Sequence, residues 1–475
     1  MKILGFNETS HDAALAVIKN GMILFAGHAE RYSKEKNDWY TNQALWNDAA
    51  RWGKPQAIAY YEKPSLKRLR LWRYGGAADW KPKHRYDVSF KHHYSHACAG
   101  YYTSPFDKAV IVVLDAMGEF ATSTVWTGNG DDIKLVREEK YPLSFGLFYT
   151  AFTKLIGLKP NEHEYILMGM AGYGDPDRYF KKVEEYFPYT GKQKYNYHKG
   201  ITDWDEPIDE QAKFDIAAAV QKVYRARLWD FMCQIRASDE LCDYENLVFM
   251  GGCALNASAN TILWNIFENI WIMPNPGDAG SSLGAALALR GKHVKWDGPY
   301  LGYDLGGEYP VDAIFEEIMA NKVCAVASGR AEFGPRALGN RSILADPRDP
   351  EIKDKVNRIK QRELFRPFAP VIMAEHASEW FDMDYESPYM QFTPRCLKPE
   401  LIPSVVHVDG TSRVQTVTRE QHPGLYAVLE KFYEATGVPL LLNTSLNVKG
   451  QPLLNDENDI IEWEETYGTK IVRGK

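Results

Sequence analysis

An Asn-Gly pair set between two apolar runs constrains this chain more than any other short feature. Residues 14–19 and 22–26 flank Asn20-Gly21, and Asn-Gly tolerates the positive φ that a two-residue hairpin turn demands. An apolar strand over residues 2–6 comes just before. The same order recurs further along. Residues 109–114 read as a buried strand ending at Asp115, and residues 122–126 and 133–136 flank the turn cluster Gly128-Asn129-Gly130-Asp131-Asp132. Two copies of strand, polar loop and hairpin predict a duplicated α/β architecture. Residues 212–240 read as helix. Residues 247–250 read as a short buried strand entering Gly251-Gly252, and 284–290 as a helix of small apolar residues. The Gly-, Pro- and Tyr-rich stretch 291–310 is the linker candidate. A second domain then opens with a strand at 323–327, and its later strand at 439–442 runs into Asn443-Thr444-Ser445-Leu446-Asn447. The expected domains are 1–300 and 311–475.

At 475 residues the chain exceeds one ordinary core. A net charge of -7 argues against a surface built to coat nucleic acid. Six cysteines (Cys98, Cys233, Cys242, Cys253, Cys324, Cys396) are scattered with no CxxC pair, which fits free thiols in a reducing compartment. No signal pattern or long uncharged apolar run is visible, so a cytoplasmic protein without membrane attachment is expected.

His92 and His96 stand four apart, so on a helix both imidazoles share a face and can hold one metal. The glutamate of an HExxH motif is absent, because His93, Tyr94 and Ser95 lie between. Asp115 at a strand end and Asp278 in Asn275-Pro276-Gly277-Asp278-Ala279-Gly280 can complete a mixed N/O site suited to Fe(II), Mn(II) or Zn(II). The alternative is a polar helix face. Gly251, Gly252 and Asn256 follow a buried strand and can present backbone N–H groups to a nucleotide; Gly118-Glu119 gives the same weak signal, and taken alone both read more readily as ordinary turns. His11, beside Asp12, is either catalytic or a loop cap. The stretch 63–91 interleaves Lys and Arg with Trp72, Tyr74 and Trp80 and reads as a solvated loop.

Residues 333–348 combine Arg336, Arg341 and Arg348 with glycines and prolines. Arginine offers a permanently charged planar donor set for phosphate or carboxylate. Lys360, Arg362, Arg366 and Arg413 follow, with Asn443, Ser445 and Asn447 after a strand. Cations tied to Gly, Pro and strand ends, rather than to a helix face, predict a triphosphate or adenylate pocket.

Together these motifs resemble the O-carbamoyltransferases of the nodulation-factor and tobramycin type. The resemblance rests on Ser10-His11-Asp12, Glu30-Arg31, His92-His93-x-x-His96, Asp115-x-x-Gly118-Glu119, Met168-Gly169, Gly252-x-Ala254-Leu255-Asn256, Gly277-Asp278-Ala279-Gly280, the FGPRALGNRS run at 333–342, Arg366-Pro-Phe-Ala-Pro370 and Asn443-Thr444-Ser445-x-Asn447. It implies an N-terminal domain of the ASKHA fold shared by actin and sugar kinases, with metal ligands at His92, His96, Asp115 and Asp278, iron foremost. It also implies a C-terminal YrdC-like twisted α/β domain, in which Arg336, Arg341, Lys360, Arg366 and Ser445 hold ATP, with Mg, and a carbamoyl-adenylate made from carbamoyl phosphate. The carbamoyl group would then pass to a hydroxyl of a small-molecule or nucleotide acceptor, with a modified base among the options. His11, Lys360 and Arg366 are the catalytic candidates, and Arg413, Asn443 and Asn447 join the nucleotide set. Arg341→Ala is expected to abolish adenylation with the fold intact. The chain departs from the family at Ala116, where glycine is usual, and at Glu164-Tyr165-Ile166-Leu167. Acceptor choice is expected to lie in 34–91 and 176–212. The competing readings are an ASKHA-type small-molecule kinase and a metal- and nucleotide-binding regulatory protein.

Overall fold

The computed structural model describes residues 1–73, 79–188 and 197–474. The chain folds as mixed α/β in two compact units: residues 1–23 with 54–296, and residues 24–53 with 297–475. The boundary near residue 296 falls in the expected linker. Residues 24–53, from inside the expected first domain, fold with the second unit instead.

One topology occurs twice in the chain before residue 297. Strands β1 (Lys2–Asn7), β2 (Ala14–Lys19), β3 (Met22–His28), β4 (Ala57–Tyr60) and β5 (Val88–Ser89) form a sheet ordered β3-β2-β1-β4-β5. Strands β6 (Lys108–Gly118), β7 (Ala121–Asn129), β8 (Asp132–Lys140), β9 (Asn246–Met250) and β10 (Asn269–Trp271) form another, ordered β10-β9-β6-β7-β8. In each, the first strand pairs antiparallel with a hairpin on one side and parallel with a later strand on the other. This is the duplication that the hairpins predict. Asn20 and Gly21 both take positive φ, 52° and 88°, as a right-twisted two-residue turn requires.

Strand β6 runs past the expected end at Asp115, with its register against β7 shifting between Leu114 and Gly118. The expected helices appear as Glu210–Arg236, capped by the Asp209 side chain, and Gly280–Arg290. Small residues in the latter permit close packing. A Cβ at Gly284 would lie 1.9 Å from the Ser95 carbonyl oxygen, so the helix His92–Thr103 can approach only glycine there. Part of the basic-aromatic stretch is also ordered rather than a solvated loop. Pro64–Arg73 is a helix, and Lys67 is buried, bonded to Glu62 with its ammonium over the Trp80 ring. Tyr74 lies outside the described residues, as does part of 176–212.

The second unit holds a two-stranded pair of β11 (Tyr300–Asp304) with β13 (Arg330–Glu332) and a six-stranded mixed sheet. Its members are β12 (Val323–Ala327), β14 (Arg341–Ala345), β15 (Ala369–Met373), β16 (Gln415–Val417), β17 (Leu440–Ser445) and β18 (Ile471–Arg473), ordered β16-β15-β17-β14-β12-β18. The linker candidate therefore contains a strand, β11. The central β14 is buried along its whole length, and the apolar residues of the sheet share one core with the helix Pro423–Thr436.

Candidate functional site

His92 and His96 sit one turn apart on the helix His92–Thr103 and are almost fully buried. Their Nε2 atoms lie 3.1 Å apart. Asp115 enters from the irregular part of β6, and Asp278 from the loop ahead of the helix Gly280–Arg290. His92 Nε2 is 3.0 Å from Asp115 Oδ2 and 3.4 Å from Asp278 Oδ1, while His96 Nε2 is 3.8 Å and 3.3 Å from the same two oxygens. One donor atom from each of the four residues falls within 4.8 Å of all the others. His96 Nδ1–H donates to the Pro276 carbonyl at 3.0 Å. That bond leaves the Nε2 lone pair for a cation, as a supporting hydrogen bond does in metal sites generally. Two nitrogens and two carboxylates, buried and oriented, fit a divalent transition metal.

Without a cation these groups balance one another. Burial opposes charge on His92, but Asp278 and Asp115 outweigh it and hold the imidazole well above its usual range. Burial likewise works against Asp278 and Asp115, yet His92 and its neighbours keep the first well below the usual carboxylate range and the second down to about 2. A metal would displace the protons, so its binding releases them. His93, on the same helix, is different. Burial and then His92 press it down to about 3, and its Nδ1 meets the Thr124 hydroxyl at 3.0 Å.

His11 reaches this centre. Its Nδ1–H donates to Asp12 at 2.8 Å, and its Nε2 stands 3.8 Å from Asp278 Oδ2. Burial is offset by Asp278 and Asp12, and the imidazole is pushed up to about 10. Ser10 donates to Asp278 at 3.1 Å and accepts from the Tyr61 hydroxyl at 3.0 Å. Tyr61 and Pro276 carried no signal in the sequence, because each meets the site only through the folded chain.

The glycine-strand motifs do other work than the expected nucleotide cradle. Gly252 N–H donates to Asp115 Oδ1 at 3.3 Å, so it orients a candidate ligand. Gly251 has φ 90°, and a Cβ there would lie 2.1 Å from the Leu114 carbonyl oxygen. Glu119 accepts the N–H groups of Lys63 at 2.6 Å and His92 at 3.3 Å, closing the N-terminus of the histidine helix. Gly118 lies against the His92 ring. Asn256 caps a short helix and shares its amide with Gln221, which also accepts from the Tyr149 hydroxyl.

In the second unit Lys360 is 3 % exposed. Its ammonium donates to the carbonyl and hydroxyl of Ser445 and to the carbonyl and side chain of Asn447. Burial, then Arg362, Arg366 and Lys36, push it well below the usual lysine range. Arg413 is depressed in the same way by burial, Arg336, Arg362 and Arg366, and its Nε has no hydrogen-bond partner. Asn443 donates to the Ala337 carbonyl and the Gln415 side chain, and its Oδ1 is unpartnered. Arg362, close to the expected set, stacks on Phe368 with 4.3 Å to the ring centroid.

Arg341 departs from its expected role. It is fully buried, and its guanidinium donates to the carbonyls of Tyr303, Ser328, Gly329, Asn340 and Asn455. Burial presses it down to about 10. With its donors committed to backbone oxygens, it ties loops together rather than facing a phosphate.

The family model described as "Carbamoyltransferase N-terminus" matches residues 59–287, and "Carbamoyltransferase C-terminus" matches residues 315–472. The chain is similar to an uncharacterised protein, sll1178, of Synechocystis sp., at 32% identity over 96% of this chain and 93% of that one. It is similar to nodulation protein NolO of Bradyrhizobium diazoefficiens at 32% identity, over 78% and 75% respectively. The 3'-hydroxymethylcephem-O-carbamoyltransferase of Streptomyces clavuligerus is 28% identical over 98% of this chain and 97% of its own.

Proposed function

The chain belongs to the carbamoyltransferase family, and from that premise we propose that it is an ATP-dependent O-carbamoyltransferase whose two half-reactions fall to its two units. The observation that carries the first half is the crowding of cations in the second unit. Lys360 is buried and Arg413 half-buried, and among the described residues the charges that act on each of them are cations. Like charges held together without a counter-charge favour a polyanion. A triphosphate answers that demand. Lys360 and Arg366 would stabilise the charge that develops as carbamoyl phosphate attacks the α-phosphorus of ATP and pyrophosphate leaves, with Arg336 and Arg413 binding phosphate and Ser445 and Asn447 positioning Lys360.

The second half belongs to the His–Asp centre. His92, His96, Asp115 and Asp278 would hold the divalent metal, iron first by resemblance, which supplies Lewis acidity toward a carbonyl or hydroxyl oxygen. His11, oriented by Asp12, would take the proton of an acceptor hydroxyl as the carbonyl–phosphate bond gives way, once a bound cation offsets the Asp278 charge that raises its proton affinity. The acceptor is a hydroxyl-bearing small molecule or nucleotide. A kinase working from the first unit alone would leave the cation cluster of the second without a role.

Pyrophosphate release from ATP tests this reading. Release that requires carbamoyl phosphate is expected. Release that ignores carbamoyl phosphate points to an ATPase or kinase, and ATP binding with no release points to a regulatory protein.

A further inference from the structure

The segment 24–53 brings Arg31 against the loop that follows β13. Arg31 is 3% exposed. Its Nη2 donates to the Gly334 carbonyl at 2.6 Å, while Nε and Nη1 have no hydrogen-bond partner. Glu332, at the end of β13, is 2% exposed. Its Oε1 accepts the N–H groups of Leu338 at 2.8 Å, Asn340 at 2.9 Å and Arg341 at 3.3 Å, and its Oε2 accepts none. Arg31 and Glu332 thus meet the same loop, Arg31 at the Gly334 carbonyl and Glu332 at the N–H groups of Leu338, Asn340 and Arg341. Asn455 borders them. Its carbonyl is taken by Arg341, and its side chain lies against the Tyr32 hydroxyl.

Buried polar groups are almost always met by protein, water or ligand, and an unmet one costs about 1–3 kcal/mol. Here donors and an acceptor against one loop are unmet among the described residues. A carboxylate would satisfy Arg31 but carries no proton for Glu332, and phosphate, anionic even when protonated, repels it. An ammonium would satisfy Glu332 and repel Arg31. A planar amide serves both, since its carbonyl oxygen accepts and its NH2 donates.

We propose that Arg31 and Glu332, flanked by Asn455, recognise the carbamoyl group: Arg31 donates to its carbonyl oxygen, and Glu332 Oε2 accepts from its NH2. The assignment rests on the carbamoyl-transfer reading and names the residues that would tell a carbamoyl from an acyl donor.

The test is calorimetric titration of the full-length protein with carbamoyl phosphate and with acetyl phosphate, in which a methyl replaces the NH2. The wild type is expected to prefer carbamoyl phosphate by about tenfold or more, the worth of a hydrogen bond to a charged group. Glu332→Gln keeps an oxygen for the three loop N–H groups and turns the other atom into a donor, so it should erase the preference. Arg31→Gln should weaken both ligands alike. Asn455→Ala retains the backbone bonds of that residue and provides a second variant where Glu332→Gln does not fold; it should weaken carbamoyl phosphate. Unchanged ATP affinity certifies each variant as folded. Equal affinity of the wild type for the two acyl phosphates, or a preference indifferent to all three substitutions, overturns the assignment and leaves water as the partner of these groups. Selective binding without pyrophosphate release would sink the adenylation reading alone. Carbamoyl-phosphate-dependent release with no role for Arg31 or Glu332 would sink this inference alone.

Discussion

The two clusters differ in how they meet their own charge. In the first unit two imidazoles and two carboxylates sit within hydrogen-bond range and neutralise one another. In the second unit the buried Lys360 and half-buried Arg413 lie beside further arginines, and among the described residues the one carboxylate paired with that set, Glu363, meets Arg366 at 3.8 Å. A self-balanced set can take up a cation by releasing protons. A like-charged set is strained until an anion arrives. The same chain thus holds one balanced cluster and one of like charge, and the sign of the unmet charge distinguishes them.

The comparison breaks first at Arg341, a cation of the second unit that lies outside the strained set. Its bonds to five backbone carbonyls make Arg341→Ala a folding mutation, because the freed carbonyls stay buried. A loss of about 4–5 kcal/mol is expected, in the range for removing one partner of a buried charged network. Denaturant unfolding measures it. An Arg341→Ala protein of wild-type stability that has lost ATP binding would return the residue to the phosphate site.

His96→Ala sharpens the contrast from the other side. Removing one imidazole leaves His92 as the one nitrogen ligand of the proposed set, so bound metal and carbamoyl transfer should fall together. The transfer rate should drop by about 10³-fold, the several kcal/mol that a Lewis acid supplies, while carbamoyl-phosphate-dependent pyrophosphate release continues. Full metal occupancy in the variant, by elemental analysis, would exclude His96 as a ligand.

The grouping of His92, His96, Asp115 and Asp278 was legible in the sequence because its signals are local. Helical spacing aligns His92 with His96, and Asp115 and Asp278 stand at the ends of apolar stretches, where backbone irregularity aims side chains. The hairpins were legible for the same reason. Arg341 was not, since the carbonyls that occupy it come from Tyr303, Ser328, Gly329, Asn340 and Asn455, and a motif rich in arginine does not reveal which guanidinium turns inward. The grouping of residues 24–53 with the second unit was equally hidden. β3 is one continuous apolar strand across that boundary, so composition does not change where the chain passes from one unit to the other. Gly251 and Gly252 were noticed for the right local reason, a tight turn after a buried strand. Their partners, Leu114 and Asp115, come from another strand and change what the turn is for.

A smaller effect should follow from Arg413→Gln. The substitution removes one charge from a crowded set while keeping a side chain that can hydrogen-bond. The ligand-free protein should gain about 1 kcal/mol, of the order of a one-unit perturbation in a buried cation, and the stabilisation by ATP should shrink. Thermal unfolding with and without ATP reads both. A loss of stability in the ligand-free protein would mean that Arg413 has a counter-charge after all.

The gentlest probe is the pH dependence of stability at Lys360. In the unfolded chain its ammonium titrates near about 10.4, and in the folded chain burial and then Arg362, Arg366 and Lys36 depress it well below that. Between the two values the unfolded chain binds more protons, so the stability of the ligand-free protein rises with pH through this window and levels off above about 10.4. One proton sets a slope of up to about 1.4 kcal/mol per pH unit. Lys360→Met removes that contribution, and the difference between wild-type and variant stability should change with pH in this sense. ATP should flatten the wild-type slope, because phosphate oxygens favour the charged lysine that the neighbouring arginines oppose. Parallel curves for wild type and variant, with ATP and without, would show that Lys360 keeps an ordinary proton affinity, and the contrast between a balanced centre and a strained one would then rest on Arg413 alone.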